Sequence, residues 1–290
     1  MSDFVINALN GLTYAALLAL VASGLALIFG FLHIVNFAHG AMFMLGAYIA
    51  LTIQRETGSF ALACAVAAVS IAVLAMLMRL LIFSRMKDGS PTDFILVTFG
   101  LMLVFENVVH MVWGTNTHDM PAPEPFSSSV AILGQTYPAY RLLLVAAAAF
   151  VALAGWYGLT RTRIGRQIRA VVEDRDMAVA LGINSVKLMY LVLLVGGALA
   201  GLAGALAGPY MSVQPTMATS VLIDAFLVVA VAGLGNFLAS FGGALLIGVA
   251  YTVGNIAMPR YSFAIVLTVA IGLLIWRPDG VFVRRKVARS

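Results

Sequence analysis

Nine stretches of this chain run for the length of a membrane crossing with almost no charge, at roughly 7–31, 36–53, 60–83, 93–113, 140–160, 187–208, 221–235, 240–257 and 261–277. A helix needs about 20 apolar residues to cross a hydrocarbon layer about 30 Å thick. The shorter runs leave the count of complete crossings at eight or nine. Long uninterrupted runs predict helices and argue against a barrel, whose strands would alternate over about ten residues. With 62% of residues hydrophobic and 10% charged, against roughly a quarter charged in soluble domains, the fold class is an all-α polytopic membrane protein.

The net charge of +5 does not point to nucleic acid, because Lys and Arg gather at the ends of apolar runs, where they orient helices. Arg79, Arg85 and Lys87, the stretch from Arg161 to Lys187, and the tail with Arg284, Arg285, Lys286 and Arg289 are assigned to the cytoplasmic side. The loop from Gly114 to Pro138 holds Asp119, Glu124 and several prolines but no Lys or Arg, which assigns it to the outside. Counting back places the N-terminus outside, and nine crossings place the C-terminus inside. The start, Met1-Ser2-Asp3-Phe4, has no basic leader region, so the first span is expected to be retained. The one cysteine, Cys64, lies in an apolar run and reads as a small buried hydrophobe.

The longest polar interruption is Arg161–Lys187, RTRIGRQIRAVVEDRDMAVALGINSVK. Arg161, Arg163, Arg166 and Arg169 mark where a helix leaves the bilayer. Asp174 or Asp176 can then cap a short helix through Ala178, Ala180 and Leu181, ended by Gly182 in the left-handed conformation. Asn184 or Ser185 can cap the next span. The small side chains of Ala178 and Ala180 are expected on the surface of this helix, where it would fit a cleft in another protein; the plain alternative is a solvated loop.

Two stretches interrupt the spans. Asn36, His39 and Gly40 follow the first span with no charged loop between, and polar groups at such depth are kept only against protein or water. Gly233, Gly235 and Asn236, followed by Gly242 and Gly243, form the second. Such Gly-interrupted pairs point to broken helices along a substrate path; a tight turn between shorter helices is the alternative for Gly233 to Asn236. Gly197, Gly201, Gly204 and Gly208 form a small-residue stripe for close helix packing, within this chain or against a second subunit. Glu106, Asn107 and His110 interrupt the fourth run, and Glu106 and His110 are one helical turn apart. Together with Asp224 they read either as inter-helix hydrogen bonds or as part of a permeation path. There is no phosphate-binding loop, no dinucleotide fingerprint and no zinc-spaced histidine pair. His33 and His39 have no third ligand in sight, so neither a metal nor a cofactor is expected.

The segment LIFGFLHIVNFAHGAMFMLGAYIA from Leu27 to Ala50 closely resembles the signature of the LivH-type permeases of branched-chain amino acid ABC importers. So do the Arg-rich lead, the acidic turn at Glu173 and Asp174 and the MAVALGIN that follows, the glycine-rich GGALAGLAGAL, the Gly-Leu-Gly stretch with Gly242-Gly243, and Arg277-Pro278-Asp279-Gly280. Asn236, where Ser is usual, and Asp224, where Lys is common, depart from the pattern. The resemblance covers essentially the whole chain and implies a single transmembrane permease domain, 1–290, in the bacterial inner membrane. It implies a second related permease subunit, two cytoplasmic ATPase subunits that bind the ATP, and a periplasmic substrate-binding protein. The substrate would be branched-chain amino acids or related small amino acids and amides. Residues 161–187 become the cytoplasmic coupling loop, with Glu173, Asp174, Ala178, Ala180, Leu181 and Gly182 facing the ATPase. Asn36, His39, Gly40, Glu106, Asn107, Gly233, Gly235 and Asn236 become the candidates for the substrate path. The competing readings are an ion-coupled secondary transporter using carboxylates such as Glu106, and an intramembrane enzyme, for which no activated nucleophile is visible.

Overall fold

A computed structural model describes residues 2–86, 90–132 and 134–282, with Ser2 and Asp3 as backbone only. The basic residues read as topology signals at Lys87, Arg284, Arg285, Lys286 and Arg289 lie outside the described residues. Each of the nine apolar runs corresponds to a helix. They are α1 (Ser2–Leu32), α2 (Ala38–Thr57), α3 (Phe60–Leu81), α4 (Pro91–Trp113), α5 (Ala139–Arg161), then α8 (Ser185–Met211), α9 (Met217–Ala232), α10 (Phe237–Ala257) and α11 (Ser262–Trp276). Between α5 and α8 the polar stretch folds into α6 (Arg163–Glu173) and α7 (Arg175–Ala180).

Among the described residues, seven helices are long and apolar enough to cross a membrane. The other two of the nine are α2 and α9, and they fall short for different reasons. With 16 residues, α9 is about 24 Å long, less than the hydrocarbon thickness. With 20 residues, α2 is long enough, but His39, Gln54 and Arg55 dilute its apolarity. It does not face lipid: α3, α4, α8 and α9 all pack on it, so its environment is protein.

The long helix α1 has 31 residues, about 46 Å, and is the most enclosed of the seven, packed by α5, α8, α9 and α10. The glycine stripe of α8 is consumed inside the chain. A Cβ built on Gly201 would stand 2.6 Å from the Ala67 carbonyl oxygen and 2.9 Å from Ile71 Cβ of α3. On the other flank, one built on Gly46 of α2 would stand 2.6 Å from Gly201 Cα. Backbones this close gain dispersion contact that no larger residue would permit. Around this centre α3, α4, α5 and α11 turn large apolar side chains outward, among them Met111, Phe150 and Ile275. That is the surface expected against lipid tails, which solvate such side chains as well as protein does.

The all-α expectation misses one feature. Strands β1 (Ser129–Ile132) and β2 (Gln135–Pro138) pair antiparallel, with Val130 opposite Tyr137. They sit in the loop before α5, and the Tyr137 hydroxyl shares a hydrogen bond of 2.9 Å with Thr13 Oγ, tying the hairpin to α1.

Candidate functional site

The polar connection is two helices and not one. Thr162 ends α5 and caps α6, its Oγ accepting from Gly165 N at 3.0 Å. Gly165 lies flat on the end of α5, where an added Cβ would come within 2.5 Å of Leu159 Cα. Arg163, Arg166 and Arg169 are exposed on α6, while Val171 is buried. Of the two possible caps for α7, Asp174 is used, its carboxylate accepting from Met177 N at 2.9 Å. Of the two for α8, Asn184 is used, accepting from Lys187 N at 2.9 Å.

The C-terminus of α7 has a double closure. Gly182 N donates to Val179 O at 2.9 Å, and Ile183 N donates to Ala178 O at 3.0 Å, with Gly182 at φ +85°. This pattern requires a left-handed residue and brings the residue after it over the start of the last turn. Here that contact joins Ile183 to Ala178, which pack with Ile28, Phe31, Val171, Leu188 and Met189. The sequence expectation for Ala178 is therefore corrected: it is 2% exposed and points into this cluster, because the closure turns its face inward. Ala180 is exposed as expected. The large apolar side chains that α7 and its capping residue offer outward are Met177, 58% exposed, Val179, 50% exposed, and Leu181, 75% exposed. Both Glu173 and Asp174 are exposed beside them.

The first interrupted stretch does not simply turn at the end of α1. His39, fully buried, bonds through Nε2 to the Val21 carbonyl at 3.2 Å. Val21 lies eleven residues before Leu32, about 16 Å back along the helix. The five-residue link therefore descends beside α1, and α2 starts deep in the bundle. Asn36 Oδ1 accepts from Ala38 N at 3.1 Å, and Phe37 N donates to Thr98 Oγ of α4 at 3.2 Å. These bonds satisfy backbone donors that lipid could not. Asn36 and Thr98 line a cavity of about 280 Å³ that extends to Arg175 at the start of α7. Gly40 is taken up in packing, since a Cβ there would meet Leu222 of α9 at 2.9 Å.

The second interrupted stretch is a tight turn, the alternative raised by its sequence. Gly233 and Gly235 have φ of +110° and +82°. Asn236 caps α10, accepting from Ala239 N at 3.0 Å. A Cβ on Gly30 would stand 2.9 Å from Gly235 Cα, so this turn rests on the end of α1. In this chain Gly233, Gly235 and Asn236 serve turn, packing and cap, while Asn36 faces a cavity.

On the opposite side, Glu106 accepts from Thr219 of α9 at 3.1 Å, the inter-helix hydrogen bond among its two readings. Asn107 donates to Leu103 O of its own helix at 2.8 Å and is exposed. Asp224 accepts from Tyr14 at 2.8 Å. Near it lies a second polar cavity of about 280 Å³, lined by Asn7, Asn10, Tyr14, Arg141, Tyr210 and Tyr251 among others. Arg141 bonds to Asn10 Oδ1, and its guanidinium lies 5.6 Å from the Tyr137 ring and 5.7 Å from the Tyr210 ring. Sequence reasoning missed this group. Its one signal is the spacing of Asn7, Asn10 and Tyr14, which puts three polar residues on one face of an apolar helix.

The model of the family described as branched-chain amino acid transport system, permease component, matches residues 7–275. The chain is 28% identical to the high-affinity branched-chain amino acid transport system permease protein BraD of Pseudomonas aeruginosa, over 97% of this chain and 96% of the relative. It is 25% identical to the permease protein LivH of the corresponding Escherichia coli K12 system, over 99% and 97%. To the probable branched-chain amino acid transport permease protein LivH of Methanocaldococcus jannaschii it is 24% identical, over 83% and 78%. No solved structure matches the chain.

Proposed function

Because the chain belongs to the family of branched-chain amino acid transport system permease components, we propose that it is the membrane-spanning subunit of an ATP-driven importer. Its cargo is branched-chain amino acids or closely related small amino acids and amides. The observation that carries this reading is the family match over residues 7–275, which takes in the spans and the polar connection together. In the assembly it works with a second related permease subunit, two cytoplasmic ATPase subunits that bind the ATP, and a periplasmic substrate-binding protein. It performs no hydrolysis itself. The chain is a multi-pass protein of the bacterial inner membrane, with α6, α7 and the C-terminus on the cytoplasmic side.

The coupling element in this reading is α7. Work done by an ATPase outside the membrane must enter the spans through a contact stiff enough not to absorb it. The double closure at Gly182 and the anchoring of Ala178 support that role for α7. The surface offered to the ATPase is Met177, Ala180 and Leu181, with Glu173 and Asp174 beside it. The test is Ala180→Arg. Uptake of radiolabelled leucine by cells carrying the whole system should be lost, and the ATPase subunits should no longer co-purify with the chain. Wild-type uptake and co-purification would remove α7 from the contact. Leucine uptake by the purified chain alone under an ion gradient would favour the secondary-transporter reading.

A further inference from the structure

The cavity beneath α7 holds hydrogen-bond donors with no acceptor to meet them. Arg79, in the last turn of α3, lines it. Its Nε and Nη1 atoms are buried without a hydrogen-bond partner, and the ring of Tyr190 lies 5.6 Å from its guanidinium. Asn36 is 4% exposed, and its Nδ2 is likewise buried without a partner. The orientation of that amide is determined: Ala38 N–H needs an acceptor and takes Oδ1 at 3.1 Å, so the group left over is the NH₂. A third donor side chain, Arg175, comes from the first residue of α7. Among the described residues no carboxylate lines the cavity.

Buried donors left unpaired are costly, and a guanidinium more so than an amide. The remaining walls include Leu32, Phe83 and Met189, so the buried part of the Arg79 guanidinium stands in a poorly solvated space, with Arg175 at the exposed rim. The species that answers two guanidinium groups and an amide NH₂ together is an oxyanion, whose paired oxygens match the guanidinium fork. The volume of about 280 Å³ is close to the lower bound for small-molecule sites. We propose that the cavity where Arg79, Asn36 and Arg175 converge binds an oxyanion, the carboxylate of a small solute or the phosphate of a lipid headgroup. Because Arg175 belongs to α7 while Arg79 belongs to α3 and Asn36 to the buried link between α1 and α2, the bound anion ties α7 to the bundle. This site stands on its own residues and does not depend on the transport reading.

The test uses the full-length chain in two preparations. In phosphatidylcholine nanodiscs, binding of L-leucine and of inorganic phosphate is titrated by thermal shift, with L-leucinamide as the probe lacking a carboxylate. In detergent, retained phosphatidylglycerol is counted by native mass spectrometry. The variants are Arg79→Gln, Arg175→Gln and Asn36→Asp; the last keeps the acceptor for Ala38 N and adds a negative charge. Arg175 is exposed, so its variant folds even where Arg79→Gln does not. Binding of leucine or phosphate, but not leucinamide, that weakens about tenfold in Arg175→Gln and disappears in Asn36→Asp supports a solute site. Phosphatidylglycerol retention with the same variant pattern supports a lipid site. If no probe binds, or every binding stays within about twofold of wild type in both Arg175→Gln and Asn36→Asp, the proposal is overturned. Transport is not read in either arm, so that failure leaves the permease reading where it was.

Discussion

The packing of α8 makes the sharpest prediction, through a comparison of two glycines that look alike in sequence. Gly201→Ala places a methyl 2.6 Å from the Ala67 carbonyl oxygen and 2.9 Å from Ile71 Cβ, where ordinary contact begins near 3.4 Å. The shortfall of about 0.8 Å cannot be relieved by retreat, because Gly46 of α2 touches the other flank of α8. Overpacking of this kind costs about 1–3 kcal/mol, against a gain of about 0.5–1 kcal/mol for removing a helical glycine. Gly100→Ala, on the outward-facing α4, gets the gain alone, since nothing lies within 4 Å of its Cβ. The two variants should therefore melt about 2–12 °C apart, on a scale of roughly 2–4 °C per kcal/mol, with Gly201→Ala below wild type and Gly100→Ala at or above it. The melt can be followed with a thiol-reactive dye, because Cys64 is the chain's only cysteine and is partly buried on α3. Equal shifts of the same sign would refute the packing of α8 between α2 and α3 and return its glycine stripe to a second subunit.

Four further outcomes are expected. Ala178→Leu should lower the melting temperature through overpacking of about 1–3 kcal/mol, whereas Leu181→Ala should leave it unchanged and weaken ATPase co-purification; the reverse pattern would invert the assignment of the two faces of α7. Gly182→Val, forced to adopt φ +85°, should cost about 1–3 kcal/mol and expose the Gly182 region to limited proteolysis, with unaltered cleavage counting against the double closure. Tyr14→Phe should destabilise by about 1–3 kcal/mol by leaving Asp224 without its donor, and Asp224→Asn added to it should recover most of the loss in the same melt. In a Cys64→Ala background, Asp176→Cys should react with a membrane-impermeant thiol reagent only in inverted vesicles; labelling of intact cells would reverse the topology.

The spans are legible because burial in lipid demands long apolar runs whatever their neighbours do, and every run marked a helix. Helix ends are legible where a capping residue stands at the junction, as at Asp174 and Asn184. What escapes is the facing of short elements. Six residues of α7 are fewer than two turns, too few for a periodicity, so the inward turn of Ala178 is visible only once Ile183 closes over it. Arg79 is hidden for a different reason. At a span end it reads as one more orienting charge, and its shared cavity with Asn36 and Arg175 depends on how the link after α1 descends past α3 and α4. The cavity with Asn7, Asn10 and Arg141 joins residues more than a hundred positions apart, and single-sequence patterning has no handle on that distance.

The arrangement also says why a connection of small helices suits the proposed coupling better than a loop would. A push on α7 reaches Ala178 and Ile183, and through them Ile28 and Phe31 of α1. Two residues beyond Ile28, Gly30 lies against Gly235 with no side chain between the backbones. A long flexible side chain at such a contact could change rotamer and absorb a displacement of an ångström, whereas backbone against backbone has no rotamer to change. Under the proposed coupling a displacement would pass from α7 to α1 and on to the turn between α9 and α10, where Gly280 packs on Gly233 and Val281 N bonds to Val231 O in the last turn of α9 at 2.9 Å. The elements that meet on this side of the bundle are thus linked through α1, the most enclosed of the seven long apolar helices, which gives the polar connection a route to the centre of the molecule beside the one through α8, the helix it runs into.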